Sequence, residues 1–169
     1  MYKTRKIYKN ENYTVDNFKK ELNEAHYSIV HLATHGYFGG TPQETFILAY
    51  DKKLTMNQLE KIISLSTIKQ NYVDLLILSA CQTAKGNERA AFGLAGVALK
   101  AGVKSAVATL WTVDDKATSV IINNFYEQIN KNSVSKAKAL QFAQNKYMDD
   151  YLLRHPSFWA PFLLIGNWL

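Results

Sequence analysis

Two apolar segments decide the fold: YSIVHLATHG at residues 27–36 and VDLLILSA at residues 73–80. The first segment contains several β-branched residues and stops at a glycine, whereas the second is an almost uninterrupted apolar run. This composition is typical of strands that are covered on both faces, because both alternating sets of side chains are buried. We therefore predict a buried strand at residues 27–34 and another at residues 73–80.

Helical patterns surround these two strands. Thr14 is a candidate N-cap for a helix that reaches about residue 24, and Thr55 with Gln58 forms the capping-box pattern T-x-x-Q at the start of a second helix. We predict further helices at about residues 88–101 (closed by Gly102 in a left-handed cap), from an Asp114 or Asp115 cap to about residue 130, and at 135–149. Further extended segments are predicted at residues 45–50, 105–111 and 161–167. Strands that alternate with helices predict an α/β fold with a mainly parallel sheet between helical layers.

The composition agrees with a single domain. The chain has 169 residues, of which 47% are hydrophobic, and this is enough apolar material for one buried core. No apolar run approaches the ~20 residues that a membrane span needs, and the basic N-terminus lacks the apolar stretch of a signal peptide. The single cysteine cannot form an internal disulfide. We expect one domain over residues 1–169 that is cytoplasmic and has no membrane partner.

The net charge of +6 raises the question of nucleic-acid binding. The basic residues form two modest clusters: Lys3, Arg5, Lys6 and Lys9, and Lys131, Lys136 and Lys138. Neither cluster is interleaved with the aromatic or glycine pattern of an RNA-binding module. We therefore expect these lysines to solvate the surface, and a nucleic acid to be an indirect partner at most.

Two reactive residues follow the predicted strands. His35 and Cys81 are each the first reactive polar group after an apolar run, and the carboxyl ends of parallel strands meet at one edge of a sheet. If the two strands are neighbours, their ends lie about 5 Å apart, which suits an imidazole that deprotonates a thiol. Gly36 has no Cβ, so its N–H can approach a substrate carbonyl and form an oxyanion hole with the N–H of Cys81.

Other interpretations of these residues remain open at this point. A lone cysteine after a buried strand is more often an inert packed thiol. His31 and His35 are four residues apart, which on a helix would suggest a zinc site, but the segment is predicted to be a strand and no glutamate follows His31. On a strand the two histidines share a face, and His31 is then a core or supporting residue.

Four motifs occur in a fixed order along most of the chain: HLATHG (31–36), ILSACQTAKG (77–86), AAFGLAGVALKAGVKSAVATLWTVDD (90–115) and FWAPFLLIGNW (158–168). Together they resemble the CHAT domain, a bacterial relative of caspases and separases, from about residue 12 to the C-terminus. The resemblance implies a caspase-like three-layer α/β/α fold and a cysteine peptidase mechanism without cofactor or metal. It assigns the catalytic histidine to His35 and the nucleophile to Cys81.

The resemblance also bears on regulation. Family members usually carry more of the fold upstream and often follow helical repeats, so we expect that this chain lacks an N-terminal part. A protein substrate and an activating upstream helical-repeat domain or partner are implied. The alternative function is a peptidase-like binding module that has kept the fold without turnover.

Substrate preference follows from a further likeness. The segment LWTVDDK (110–116) is similar to the separase segment in which an acidic residue faces an arginine just before the cut. This would place Asp115 in the first specificity pocket, with Asp114 beside it, and would select Arg or Lys through a charged contact. The alternative is that Asp115 caps the following helix, and the sequence supports the two equally.

Overall fold

The computed structural model of the chain describes residues 5–37, 39, 41, 43–82, 96–131, 133–149 and 154–169, with backbone alone for residues 80–82. The helices are α1 (Val15–Glu24), α2 (Met56–Ile68), α3 (described over residues 96–100), α4 (Asp115–Ile129), α5 (Lys136–Met148) and α6 (Pro156–Trp159). The strands are β1 (Ile29–Tyr37), β2 (Phe46–Leu48), β3 (Lys53–Thr55), β4 (Leu75–Gln82), β5 (Ser105–Thr109) and β6 (Phe162–Gly166). A short 3₁₀ turn at Asn10–Asn12 precedes α1.

The six strands form one sheet in the order β3-β2-β1-β4-β5-β6. The central pairs β1–β4 and β4–β5 are parallel, whereas β2, β3 and β6 pair antiparallel towards the edges. The parallel strands are the apolar runs that the sequence marked as buried. The prediction of an α/β fold with a mainly parallel centre is therefore confirmed.

Helices cover both faces of this sheet. On one face, buried side chains of β1, β4 and β5 pack against α1, α2 and α3, and they include Val30, Leu32, Leu76, Leu78 and Ala106. On the other face, a second cluster joins the sheet to α4 and α5 through Leu75, Ile77, Val107, Ile121, Phe125 and Leu140. The molecule thus has the expected three-layer α/β/α architecture. None of the described helices combines the length and apolar character that crossing a membrane requires.

The predicted helix caps are present in the structure. The Thr14 hydroxyl accepts a hydrogen bond from the N–H of Asn17 at 3.1 Å, and Thr55 with Gln58 forms a complete capping box. Gly102 has a φ of 101°, the left-handed conformation that glycine adopts without strain. These caps depend on residues close together in sequence, so local patterns were sufficient to predict them.

Strands β1 and β4 extend further than predicted. The sequence placed their ends at residues 34 and 80, but β1 continues to Tyr37 and β4 to Gln82. The reason for β1 is non-local: β2 pairs with its last residues, Gly36 with Ile47 and Tyr37 with Phe46. His35 and Cys81 therefore lie within the carboxyl-terminal ends of their strands rather than after them.

Several other boundaries differ or were missed. β3 and α6, with three and four residues, were not predicted, because such short elements leave little periodicity. β5 ends at Thr109 rather than at residue 111. The predicted beginning of the helix at 88–101 lies outside the described residues, whose helical stretch 96–100 agrees with its second half.

The expectation that the lysines solvate the surface is wrong for Lys136. This residue is only 6% exposed, and its ammonium group lies 3.2 Å from an Asp74 carboxylate oxygen and 2.6 Å from the Leu169 carbonyl oxygen. A buried ammonium group persists because an anion and a carbonyl replace its water. Lys6, in the other basic cluster, is exposed and pairs with Glu21.

Candidate active site

The pairing of β1 with β4 brings the two reactive positions together. The parallel register runs from Ile29 with Leu75 to Gly36 with Gln82, and within it His35 is the partner of Cys81. Neighbouring strands lie about 4.8 Å apart, so the two backbones are adjacent at the carboxyl edge of the sheet. His35 is exposed to solvent at this edge. Only the backbone of Cys81 is described, so the predicted contact between the imidazole and the sulfur lies outside the described atoms.

A polar pair lies just N-terminal to these positions. The Nε2 atom of His31 is 2.9 Å from the Oγ atom of Ser79, so a hydrogen bond joins β1 to β4. The His31 ring also lies near the Tyr126 ring of α4, with centroids 5.9 Å apart. The His31 residue is exposed as a whole, yet desolvation by the protein atoms around its ring lowers its pKa to about 4. The ring is therefore neutral at neutral pH, with one nitrogen donating and the other accepting.

The segment after β5 reaches the same edge of the sheet. Leu78 of β4 pairs with Ala108 of β5, and the chain leaves the sheet shortly afterwards, at residue 110. The indole N–H of Trp111 donates to the Ser157 carbonyl at 3.0 Å, which fixes this segment to α6. Segment 110–114 leads into the N-terminus of α4, so both aspartates lie at the edge that carries His35.

The model of the CHAT domain family matches residues 2–167, almost the whole chain. The chain belongs to the CHAT domain family. This CHAT domain is also similar to the mouse protein "Tetratricopeptide repeat protein 28", with 31% identity over 97 residues. The match covers 56% of this chain and 4% of the mouse protein, so a segment similar to this CHAT domain also occurs in a mammal.

Asp114 and Asp115 have different structural roles in this CHAT domain. Asp114 is the N-cap of α4, and its Oδ1 accepts a hydrogen bond from the N–H of Ala117 at 3.0 Å. Asp115 is the first helical residue and is exposed. The interpretation of Asp115 as the helix cap is therefore wrong, because the neighbouring aspartate has the non-helical backbone and the side-chain contact of a cap.

Gly36 occupies a different environment from the one expected of a loop glycine. It is buried within β1, where it pairs with Ile47 of β2 on one side and with Gln82 of β4 on the other. The N–H predicted for the oxyanion hole thus belongs to a residue of the sheet. Sequence reasoning missed three other residues near this site: Ser79, Trp111 and Tyr126. Ser79 and Trp111 lie inside the motifs that resemble the CHAT domain, and this was the sequence feature that could have indicated them.

Proposed function

We propose that this CHAT domain is a cysteine endopeptidase in which Cys81 is the nucleophile and His35 the general base. The observation that supports this most directly is the register that pairs His35 with Cys81 at the carboxyl edge of the sheet. Residues two or four apart along a strand lie on the same face, so His35 lies on the same face of β1 as His31, and position 81 is assigned to the same face of β4 as Ser79. The hydrogen bond between His31 and Ser79 shows that these two residues lie on one face of the sheet. The two reactive groups are therefore expected on one side of the sheet.

The proposed reaction is acyl transfer through a thioester. His35 accepts the thiol proton of Cys81, the thiolate attacks the scissile carbonyl carbon, and a C–S bond forms as the carbonyl electron pair moves onto oxygen. The N–H of Cys81 is the proposed donor to that oxyanion. When the C–N bond breaks, the histidine returns its proton to the leaving amine. Water, activated by the same imidazole, then hydrolyses the thioester.

We propose that the enzyme cuts after Arg or Lys because of Asp115. Asp114 is the N-cap of α4, where its carboxylate accepts a hydrogen bond from the N–H of Ala117. Asp115 is exposed at the edge that carries His35, where a carboxylate attracts a guanidinium or ammonium group. Asp114 is proposed to shape the pocket by fixing the start of α4.

Control by a helical-repeat region is the second part of the proposal. The mouse relative is named for tetratricopeptide repeats, and a repeat domain of this kind is a suitable upstream activator or partner. We expect it to order the segments 82–90 and 111–116, which follow β4 and β5 in the sequence; residues 83–90 lie outside the described residues. The 169-residue chain alone should then be weakly active in the reducing cytoplasm where we place it, and full turnover without any partner would contradict this.

The test of the function is covalent labelling of the only cysteine. The chain is incubated with a peptidyl electrophile that carries Arg next to the reactive group, and with a matched electrophile that carries Asp there. We expect the Arg probe to modify Cys81 and His35→Ala to prevent it, with iodoacetamide confirming that the thiol is accessible in both proteins. Equal labelling by both probes, or labelling that is independent of His35, would favour the alternative, a peptidase-like binding module.

A further inference from the structure

The hydrogen bond between His31 and Ser79 joins residues that are 48 positions apart in sequence. In the parallel register Ala33 is the partner of Ser79, so the bond runs diagonally from β1 to β4. Ser79 precedes Cys81 by two residues, which is one step along the same face of the strand. The bond therefore lies in the side-chain layers directly before the proposed catalytic positions.

This polar pair replaces apolar residues on the face that packs against α4 and α5. Leu75, Ile77 and Val107 on that face are each at most 1% exposed. His31 is exposed and Ser79 is half-buried, so their hydrogen bond competes with water and contributes little net stability. Two apolar side chains would extend the core by another layer. A role other than stability therefore explains the pair better.

Strand register is the property that this pair can specify. Residues 75–78 of β4 are all apolar, so a shift of two residues would still leave apolar side chains on both faces of the sheet. Such a shift moves the strand by about 6.6 Å and would separate position 81 from His35. Backbone hydrogen bonds form in either register, whereas the His31–Ser79 bond forms in one.

We propose that His31 and Ser79 are positioning residues, whose hydrogen bond holds β1 and β4 in the register that aligns His35 with Cys81. The contact of the His31 ring with Tyr126 extends this support to α4, the helix that begins at Asp115. The proposal rests on the function proposed above. It assigns no contact with substrate to either residue.

The test measures how fast iodoacetamide alkylates Cys81 from about pH 5 to about pH 9, since thiolate is the reacting form. The chain has no other cysteine, so the signal is unambiguous. Ser79→Ala and His31→Phe remove the bond from opposite sides, and Ser79→Thr keeps a hydroxyl. The matched control is Ser105→Ala, which removes a strand serine bonded to the Asp74 carbonyl at 2.7 Å, at the other end of the sheet.

We expect Ser79→Ala and His31→Phe to alkylate about three- to tenfold more slowly than the native chain at about pH 6, because a misaligned imidazole supports less thiolate. Ser79→Thr should restore the native profile. Ser105→Ala should lose thermal stability without changing the profile. If His35→Ala slows alkylation but the two positioning variants do not, the positioning role is overturned and the dyad remains. If His35→Ala has no effect, the proposed function itself fails.

Discussion

The two faces of the central sheet are built from the same strands but end differently. On the face covered by α1 and α2, apolar burial continues towards the carboxyl ends of the strands, with Leu32, Leu78 and Ala108 at 4%, 2% and 4% exposure. On the α4 and α5 face, the apolar layer gives way to His31 and Ser79, and His35 beyond them is exposed. The first face is organised for stability, whereas the second gives up burial where the proposed chemistry takes place.

Replacement of Cys81 should give the largest difference between an effect on activity and an effect on stability. Cys81→Ala removes the proposed nucleophile, so turnover of an Arg substrate should fall by at least about 10⁴-fold. The free energy of unfolding should change by less than about 1 kcal/mol, because a nucleophile has to reach the substrate and its truncation then removes little packing. Kinetics and thermal denaturation of the same sample measure both quantities. A stability loss of several kcal/mol would identify Cys81 as a core residue instead.

Truncation on the opposite face should have the reverse signature. Leu78 is 2% exposed within the α1 and α2 core, so Leu78→Ala should lower the free energy of unfolding by about 2–5 kcal/mol. The protein that remains folded should keep the native alkylation profile of Cys81. Chemical denaturation measures the free energy of unfolding, and alkylation of a separate sample under native conditions measures the profile. A changed profile at unchanged folded fraction would mean that the two faces are not independent.

The aspartates at the start of α4 offer a finer separation of activity from stability. Asp115→Ala should reduce the rate on substrates with Arg at the cut by about tenfold, with little change in thermal stability, because an opposite charge is lost from the pocket. Asp114→Ala removes the helix cap and should instead cost about 1 kcal/mol of stability. If neither change alters the preference for Arg over Asp, the pocket is formed by other residues.

The smallest expected effect is a difference in pH dependence. The pKa of His31 is lowered to about 4, so stability is complete above about pH 6.5 and declines as pH falls towards 4, because only the unfolded chain binds the proton. The pKa of Glu21 is lowered to about 2, chiefly by its hydrogen bond with Lys6, so its contribution is lost below about pH 4.5. In thermal melts across this pH range, His31→Gln should remove the decline in stability between about pH 6.5 and about pH 4. Glu21→Gln should remove the decline below about pH 4.5. If either variant removed the decline that belongs to the other residue, the assignment would be refuted.

Local patterns in the sequence were sufficient for much of the fold. Apolar runs marked the central strands, and the Thr14 and Thr55 caps were predicted because each bond spans three residues. The motifs that resemble the CHAT domain indicated the family and singled out His35 and Cys81. These features depend on side-chain chemistry and backbone sterics over a few neighbouring residues, which any reader of the sequence can recognise.

Only the tertiary structure decided the features that join distant segments. The extension of β1 to Tyr37 needs β2 as a partner, and the burial of Lys136 needs Asp74, which is 62 positions away in sequence. The choice between two adjacent aspartates for the α4 cap depended on which of them is the first helical residue. The His31–Ser79 bond likewise exists only because β1 and β4 pair in one register. Pairing of this kind is settled by packing across the whole sheet, and local sequence carries little information about it.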